Sequence, residues 1–430
     1  MDNGKNRTQR KGYKGLSILL AVLVLVGAAF LTAGCSRGES AYEIAVRNGF
    51  IGTEVEWLNS LKAESAGLPI DVHALFELYR EVHPEATADD FLEEFYSRIG
   101  YHTSETAATT ALRSTVSLKA SFSNGNGSAG SGVILRMDDA GTAYIMTNYH
   151  VIYSNGSALK NVKVYAFGRE GDDGYGLTAA MIGGSMDLDI AVLRVDLSSI
   201  NSGFYRAAAL AGFDTATYGQ SVLAVGNPED SGLSVTSGIV SIVSEDITMK
   251  KLNGAGGSVQ MRVMRSDAAI NPGNSGGGLY DLEGRLMGIV NAKSAEEGTD
   301  NIGFAIPISV AAGIADNVID GGGKKYKLGI TTKSAQSYGN VDENGKAVIY
   351  ESCKIVDVNA SGLASGKLKT DDILVSAKLD NREKIQITRN YQLSDYLFYA
   401  RRGGSIEIEV IRDGAPFTAA ITFTGTGSAL

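Results

Sequence analysis

The sequence predicts a mainly β protein, with two β-barrels, a further β domain after them and a small helical module before them. The 430-residue chain has 53 glycines but only six prolines, a composition that suits many tight turns between strands. From about residue 116 onward, short apolar runs recur between Gly, Asn and Asp residues, as strands do between turns. These two observations together favour barrels over a helical fold.

Twelve runs predict the strands of the two barrels. Those of the first barrel are Val116–Phe122, Gly130–Leu135, Ala143–Thr147, Val162–Phe167, Thr178–Ile182 and Ile190–Val195. Those of the second barrel are Ser221–Val225, Leu233–Val243, Val259–Arg265, Gly277–Tyr280, Arg285–Asn291 and Ile302–Ile306. Residues 308–319 predict a helix that closes this part of the chain, and residues 320–325 predict a flexible hinge.

A glycine-rich stretch in the second set of strands contains a candidate nucleophile. Ser275 lies between Gly273 and Gly276, and glycines permit the sharp bends that bring backbone amides close to a bound carbonyl. This arrangement predicts a nucleophilic serine whose oxyanion would be held by the amides of Gly273 and Ser275. An ordinary glycine-rich turn is the alternative interpretation of the stretch taken alone.

A serine hydroxyl needs a base, and the base needs a group that holds its tautomer. His150 follows a predicted strand of the first barrel, and Asp189 precedes another. The order His, Asp, Ser is that of chymotrypsin-type enzymes. The sequence therefore predicts a catalytic triad of Ser275, His150 and Asp189 in the crevice between the two barrels.

These residues lie in motifs that resemble the HtrA (Deg) family of trypsin-fold serine proteases. The motifs are Thr147–Val151, Asp189–Leu193, Asn271–Gly277 and Ile302–Pro307, and the resemblance covers about residues 112–425. Tyr149 stands where the family usually has Asn or a small residue, and Gly278 where it usually has Pro. Neither departure touches the predicted triad.

The resemblance implies a protease domain over residues 112–320 and a PDZ domain over residues 321–430. The loop Lys327, Leu328, Gly329 and Ile330 resembles the one with which a PDZ domain receives a peptide C-terminus while the peptide adds to the sheet as a strand. The same resemblance assigns the pocket for the residue before the cut to Ala269, Ile289 and Val290. These uncharged side chains predict a broad preference for Val, Ala, Ile or Leu.

The family resemblance further implies a serine endopeptidase of envelope protein quality control. Its substrates would be unfolded or damaged proteins with exposed C-termini, its assembly a homotrimer, and its chemistry an acyl-enzyme mechanism that needs no cofactor. The alternative is a catalytically weak, chaperone-like or peptide-binding protein that uses the same fold. The presence of His150, Asp189 and Ser275 argues against that alternative.

Residues 1–34 predict a targeting segment, in which a basic stretch precedes the apolar run Leu16–Leu31. The run is short for a membrane span. Small residues directly before Cys35 resemble a bacterial lipobox, which implies a lipid on Cys35 and an anchor at the extracytoplasmic face of the cell membrane. An uncleaved N-terminal anchor and ordinary secretion are the alternatives, and all three place the protease outside the cytoplasm.

Residues 35–111 predict a small helical module and a linker. Val72, Leu75, Phe76 and Tyr79 recur at helical spacing, and the small polar residues from Thr103 to Leu112 predict the linker. Two roles for the module stay open. It is either a spacer that lifts the protease from the membrane or a module that binds a substrate or partner.

Composition also excludes some classes of function. The net charge of −9 argues against binding to nucleic acid. Cys35 and Cys353 are the only cysteines, so a lipid on Cys35 leaves no disulfide to form. None of the four histidines has a second ligand at metal-binding spacing, and no metal site is expected.

Overall fold

A computed structural model describes the chain from Ser104 to Leu430 with short gaps, and Pro84 as an isolated exposed turn residue. The described ranges are 84, 104–168, 175–200, 205–254, 256–292, 302–342, 345–380 and 382–430. The contacts divide the chain into two units, Met1–His102 and Thr103–Leu430. The predicted targeting segment, Cys35 and nearly all of the helical module lie outside the described residues. No helix within these ranges is long and apolar enough to cross a membrane.

Six strands form the first closed barrel, in the order β1-β2-β3-β6-β5-β4. They are β1 (Thr115–Phe122), β2 (Gly127–Met137), β3 (Thr142–Thr147), β4 (Leu159–Ala166), β5 (Leu177–Ser185) and β6 (Ile190–Asp196). All neighbouring pairs are antiparallel. Val116, Leu118, Ile145 and Leu193 point inward and are fully buried, because branched and aliphatic side chains fill the interior of a small barrel.

The second closed barrel repeats this architecture, in the order β10-β11-β12-β9-β8-β7. Its strands are β7 (Ser221–Gly226), β8 (Ser234–Lys250), β9 (Ser258–Ser266), β10 (Gly278–Asp281), β11 (Leu286–Val290) and β12 (Gly303–Pro307). One buried cluster contains Val133 and Ile190 of the first barrel together with Val225 and Ile289 of the second. The barrels therefore share a continuous apolar contact, as the predicted crevice between them requires. The two predicted sets of strands are confirmed.

Two helices pack against the barrels. Helix α1 (Ser104–Ser114) occupies the stretch for which the sequence predicted a linker, and that prediction is wrong. Ala107 and Ala111 recur at i, i+4 and are buried, so the helix gains its stability from packing and not from a strong apolar face. Helix α2 (Ile308–Asp320) confirms the predicted closing helix, and its buried side includes Ile314.

The predicted hinge, residues 320–325, overlaps a short strand at Lys324–Lys325, so the end of that stretch is a strand and not a flexible linker. This strand begins a β domain with its own core. Its strands are β13 (Lys324–Lys325), β14 (Ile330–Val341), β15 (Ala347–Val358), β16 (Ile373–Leu379), β17 (Ile385–Gln386), β18 (Ser405–Arg412), β19 (Ala415–Thr422) and β20 (Ser428–Ala429). The main sheet has the order β14-β15-β16-β18-β19, which leaves β14 at one edge. Helix α3 (Gln392–Tyr396) and a 3-10 turn at Leu397–Tyr399 pack on it.

Asp316 on α2 connects the three parts of this unit. Its carboxylate accepts hydrogen bonds from Arg136 of the first barrel at 2.6 Å and from Arg382 of the C-terminal β domain at 2.6 Å. Arg401 of the same domain donates a third at 2.9 Å. Three guanidinium groups on one largely buried carboxylate fix the C-terminal β domain against the helix that closes the barrels.

Candidate active site

His150 and Asp189 come together at one end of the first barrel. His150 lies in a 3-10 turn directly after β3, and Asp189 directly precedes β6, which pairs with β3. The imidazole Nδ1 lies 2.6 Å from Asp189 Oδ2, and the His150 backbone N–H donates to Asp189 Oδ1 at 2.9 Å. The carboxylate thus holds the ring through one hydrogen bond and the His150 backbone through the other, and it sets the Nδ1-protonated tautomer.

The backbone of Asp189 is held as firmly as its side chain. Its φ is +52°, a left-handed conformation that Asp tolerates better than most residues. Its carbonyl accepts from the Asn148 side-chain amide at 3.0 Å and from the Tyr149 N–H at 3.2 Å. Because both donors immediately precede His150, the turn that carries the imidazole and the residue that orients it are one hydrogen-bonded unit.

Ser275 reaches this region from the second barrel. Its carbonyl accepts from the Ser131 N–H of β2 at 2.8 Å. Gly276, at φ +84°, lies so close to the first barrel that a Cβ there would be 2.2 Å from the Ser131 carbonyl oxygen and 2.3 Å from Thr147 Oγ1. Thr147 ends the strand that leads to His150, so the serine loop and the imidazole turn meet in the crevice between the barrels.

The described contacts do not include a hydrogen bond between the Ser275 hydroxyl and His150. The residues that meet directly are His150 and Asp189, whereas Ser275 is placed through its backbone. Its side chain is nearly enclosed, with 5% of the residue exposed. Nucleophile to base hydrogen bonds are often long before substrate binds.

The backbone of the serine loop leaves two amides available. The carbonyl of Pro272 accepts from Glu229 N–H at 3.1 Å, and that of Gly273 accepts from the Ser131 hydroxyl at 2.8 Å. Among the described contacts, the N–H groups of Gly273 and Ser275 donate to no protein acceptor. Two such amides beside a nucleophile can stabilise a developing oxyanion.

Gly273 permits this loop conformation. Its φ is +99°, and a Cβ there would lie 2.2 Å from the carbonyl oxygen of Asn227. The Asn227 N–H also donates to the Ser131 hydroxyl at 2.8 Å, so Ser131 connects the two loops of the second barrel to the first. Only a residue without a Cβ fits this position without moving its neighbours.

The three predicted pocket residues do not share one face. Ile289 and Val290 are consecutive on β11 and fully buried, and consecutive side chains of a strand point to opposite faces. Ile289 packs in the cluster shared by the barrels. Val290 and Ala268 belong to a second buried cluster, and Ile270 packs against that cluster. Ala269 is exposed. At most one of the two β11 residues can therefore line a pocket that includes Ala269.

The loop predicted to bind peptide C-termini leads into the edge strand β14. Leu328 is buried, and its carbonyl accepts from the Ala364 N–H at 2.9 Å. Gly329 has φ +78°, and its carbonyl accepts from the Asn359 N–H at 2.8 Å. Ile330 begins β14 and is partly buried against the core of the C-terminal β domain. Lys327 is exposed at the start of the loop.

Leu393 of α3 and Leu397 of the 3-10 turn that follows it are buried in the same core. No group of three His, Cys, Asp or Glu residues that could hold a metal ion occurs in the part of the chain that the structure describes.

Asn291, which directly follows β11, donates to Asp189 Oδ2 at 3.0 Å. Sequence reasoning did not single it out, because nothing in its local pattern distinguishes it from any residue at the end of a strand.

Comparison with known proteins identifies similar chains. The model of the trypsin-like peptidase domain family matches residues 130–289. The chain is 30% identical to the serine protease Do-like HtrA of Bacillus subtilis over 302 residues, which are 68% of this chain and 63% of that relative. It is also 30% identical to the serine protease Do-like HtrA of Lactococcus lactis over 322 residues, which are 70% of this chain and 72% of that relative.

Solved structures of similar chains include the HtrA-type protease AlgW with a tripeptide. That structure is 26% identical with a TM-score of 0.46, and the match covers 74% of this chain and 96% of that one. The serine endoprotease from Yersinia pestis is 27% identical with a TM-score of 0.43, over 75% of this chain and 97% of that one.

Proposed function

Because this chain belongs to the HtrA family of trypsin-like serine proteases, we propose that it is a serine endopeptidase with Ser275, His150 and Asp189 as its catalytic groups. One observation carries the proposal. The hydrogen-bonded pair of His150 and Asp189 lies in the crevice where the Ser275 loop presents two amides that donate to no acceptor among the described contacts. An ordinary glycine-rich turn would not be expected to lie beside such a pair.

The geometry supports acyl transfer. With Nδ1–H donated to Asp189, the Nε2 of His150 is the unprotonated nitrogen and can accept the proton of the Ser275 hydroxyl as that oxygen attacks a peptide carbonyl. The imidazolium then gives the proton to the leaving amine. The oxyanion of the tetrahedral intermediate would be held by the amides of Gly273 and Ser275. Water would release the acyl group by the reverse proton transfers.

The proposed substrates are unfolded or damaged proteins outside the cytoplasm. Two relatives are named as periplasmic endoproteases, DegQ of Escherichia coli and a probable DegP-like protein of Halomonas elongata. We also propose that the C-terminal β domain is a PDZ domain. An exposed peptide C-terminus would bind the loop Lys327, Leu328, Gly329 and Ile330 and add to the free edge of β14.

The proposed cellular context follows from the sequence and the family. A lipid on Cys35 would anchor the protein at the extracytoplasmic face of the bacterial membrane, and the family suggests a homotrimer. Replacement of Cys35 by Ser should then block processing after Gly34 and leave a larger precursor without labelled palmitate. A product of unchanged electrophoretic mobility would favour an uncleaved anchor instead.

A fluorophosphonate probe tests the proposed activity without knowledge of the substrate. The probe should label the wild-type protein and fail to label Ser275→Ala. His150→Ala should label far more slowly at equal concentration of folded protein, because the hydroxyl then lacks its base. If the wild type and Ser275→Ala label equally, the serine assignment is wrong.

A further inference from the structure

Asn291 is a buried amide that contacts the proposed catalytic aspartate from the other barrel. It is 0% exposed, and its Nδ2 lies 3.0 Å from Asp189 Oδ2. The same oxygen takes the hydrogen bond from His150 Nδ1 at 2.6 Å, and the other oxygen takes the His150 backbone N–H at 2.9 Å. Three donors therefore fix both the plane and the rotation of the Asp189 carboxylate.

The backbone beside Asn291 is bonded directly to the serine loop. The Val290 carbonyl accepts from Gly276 N–H at 2.9 Å, and the Val290 N–H donates to the Gly277 carbonyl at 2.8 Å. The Asn291 N–H itself donates to the carbonyl of Phe304 on β12 at 2.8 Å. The segment that carries the Asn291 side chain is thus tied to the residues immediately after Ser275. A short path of hydrogen bonds leads from the nucleophile to the aspartate.

The chemistry of the side chain suits this position. An ionised carboxylate only accepts hydrogen bonds, and a carboxamide offers an N–H donor that does not titrate. Asp189 is 4% exposed, so each donor it receives offsets part of the cost of burying its charge. The contacts from Asn148 and Tyr149 hold the Asp189 backbone within the first barrel. The side-chain amide of Asn291 holds the Asp189 carboxylate to the second barrel.

We infer that Asn291 is a positioning residue of the proposed reaction. It holds Asp189, and through Asp189 the His150 imidazole, at a set place relative to the barrel that carries Ser275. The inference rests on the proposed peptidase activity. Asn291 acts through Asp189 and need not touch the substrate.

The test compares Asn291→Ala and Asn291→Asp with the wild type in cleavage of fluorescently labelled casein over a range of pH. Asn291→Ala should lower kcat about 10- to 100-fold and change KM less than twofold, since a hydrogen bond to a charged group is lost without a change in the substrate cleft. Asn291→Asp keeps the volume but puts a second carboxylate beside the first. It should lower kcat and move the acid limb of kcat/KM to higher pH, because added negative charge favours the imidazolium form of His150.

A matched control removes a buried amide elsewhere. Asn317 on α2 is also 0% exposed, and its Nδ2 donates to the carbonyl of Lys324 at 2.7 Å and to that of Phe398 at 3.0 Å. Asn317→Ala should lower the melting temperature and leave the pH profile of kcat/KM unchanged. Melting curves on all variants establish that the activity refers to folded protein, and Asn291→Asp guards against a packing defect in Asn291→Ala.

The outcomes separate this inference from the proposed function. If the wild type neither cleaves casein nor reacts with the fluorophosphonate probe, the proposed function fails and the inference falls with it. If the wild type is active but folded Asn291→Ala and Asn291→Asp keep kcat within twofold and keep its acid limb, the positioning role is overturned. A loss of kcat in both variants, with the acid limb moved to higher pH in Asn291→Asp only, supports it.

Discussion

Arg262 on β9 and Asp395 on α3 form a buried ion pair between the second barrel and the C-terminal β domain. Their side chains are 8% and 7% exposed. Ser309 of α2 contacts both partners, since its Oγ lies 3.0 Å from Arg262 Nη2 and 3.2 Å from Asp395 Oδ2. The guanidinium also lies over the ring of Tyr391, 4.0 Å from its centroid.

A second carboxylate continues this contact. Asp214, in the segment between β6 and β7, accepts from the Tyr391 hydroxyl at 3.0 Å and from the Gln392 amide at 2.7 Å. Gln392 begins α3, whose Leu393 is buried in the core of the C-terminal β domain. The helix that docks on the barrel is therefore also part of the core of the C-terminal β domain.

The docking contact should depend on pH. Burial raises the pKa of Asp395 to about 6 although Arg262 opposes the shift, and nearby Asp214 raises it further. The docked state therefore retains a proton that the unfolded chain loses near the ordinary value of 3.8, so stability should fall as pH rises from about 4 to about 6. Thermal melting of the wild type across this range should show the decline.

Asp395→Asn should flatten that decline. It should also destabilise the protein at pH 7 by about 3–5 kcal/mol, because it leaves the Arg262 charge buried without its carboxylate. Glu409→Gln is the control, since its partner Lys384 and Glu409 itself are both more than 40% exposed and such pairs contribute little. An Asp395→Asn variant with wild-type stability and an unchanged slope would disprove the account of this contact.

Gly273→Ala should impair the reaction through the oxyanion site. A Cβ there would lie 2.2 Å from the Asn227 carbonyl oxygen, so the loop must move and the Gly273 amide with it. We expect kcat to fall about 10²- to 10³-fold, as for loss of one oxyanion donor. Gly125→Ala is a matched control, because Gly125 has φ +87° and a Cβ added there would meet no atom within 4 Å. Equal kcat in the two variants would count against the Gly273 assignment.

The cleavage preference should be broad and apolar. Peptides sequenced from a digest of denatured casein should end mainly in Val, Ala, Ile or Leu, because a small apolar pocket discriminates by only about 1–3 kcal/mol per methylene. Ala269→Asp should move cleavage toward Lys and Arg if Ala269 forms the pocket floor. If the assignment is off by one position, Ile270 forms the floor, and Ile270→Asp should cause this change instead. A wild-type pattern from Ala269→Asp, with the change in Ile270→Asp, would place the floor at Ile270.

Much of the fold could be predicted because it depends on local patterns. Apolar runs between turns located the strands of both barrels, and the order of His150, Asp189 and Ser275 led to the proposed catalytic groups. Helix α1 was missed because its Ser, Thr and Ala residues give a weak apolar face. Such a helix forms because the barrels offer Ala107 and Ala111 a surface to pack against, which a local pattern does not reveal.

The contacts that the sequence did not predict join residues that lie far apart along the chain. Asn291 lies 102 positions from Asp189, and Arg262 lies 133 positions from Asp395. An amide at the end of a strand and an arginine within one are ordinary in sequence, and only the closed barrels bring them to their partners. The opposite faces of Ile289 and Val290 likewise follow from the pleat of β11.

The most direct test of the account is the residual turnover of Ser275→Ala on unfolded casein, measured beside the wild type at equal concentration of folded protein. The account predicts an unchanged melting temperature and a loss of about five to six orders of magnitude in kcat, the scale expected when the nucleophile of such a triad is removed. Residual cleavage within tenfold of the wild type would contradict it.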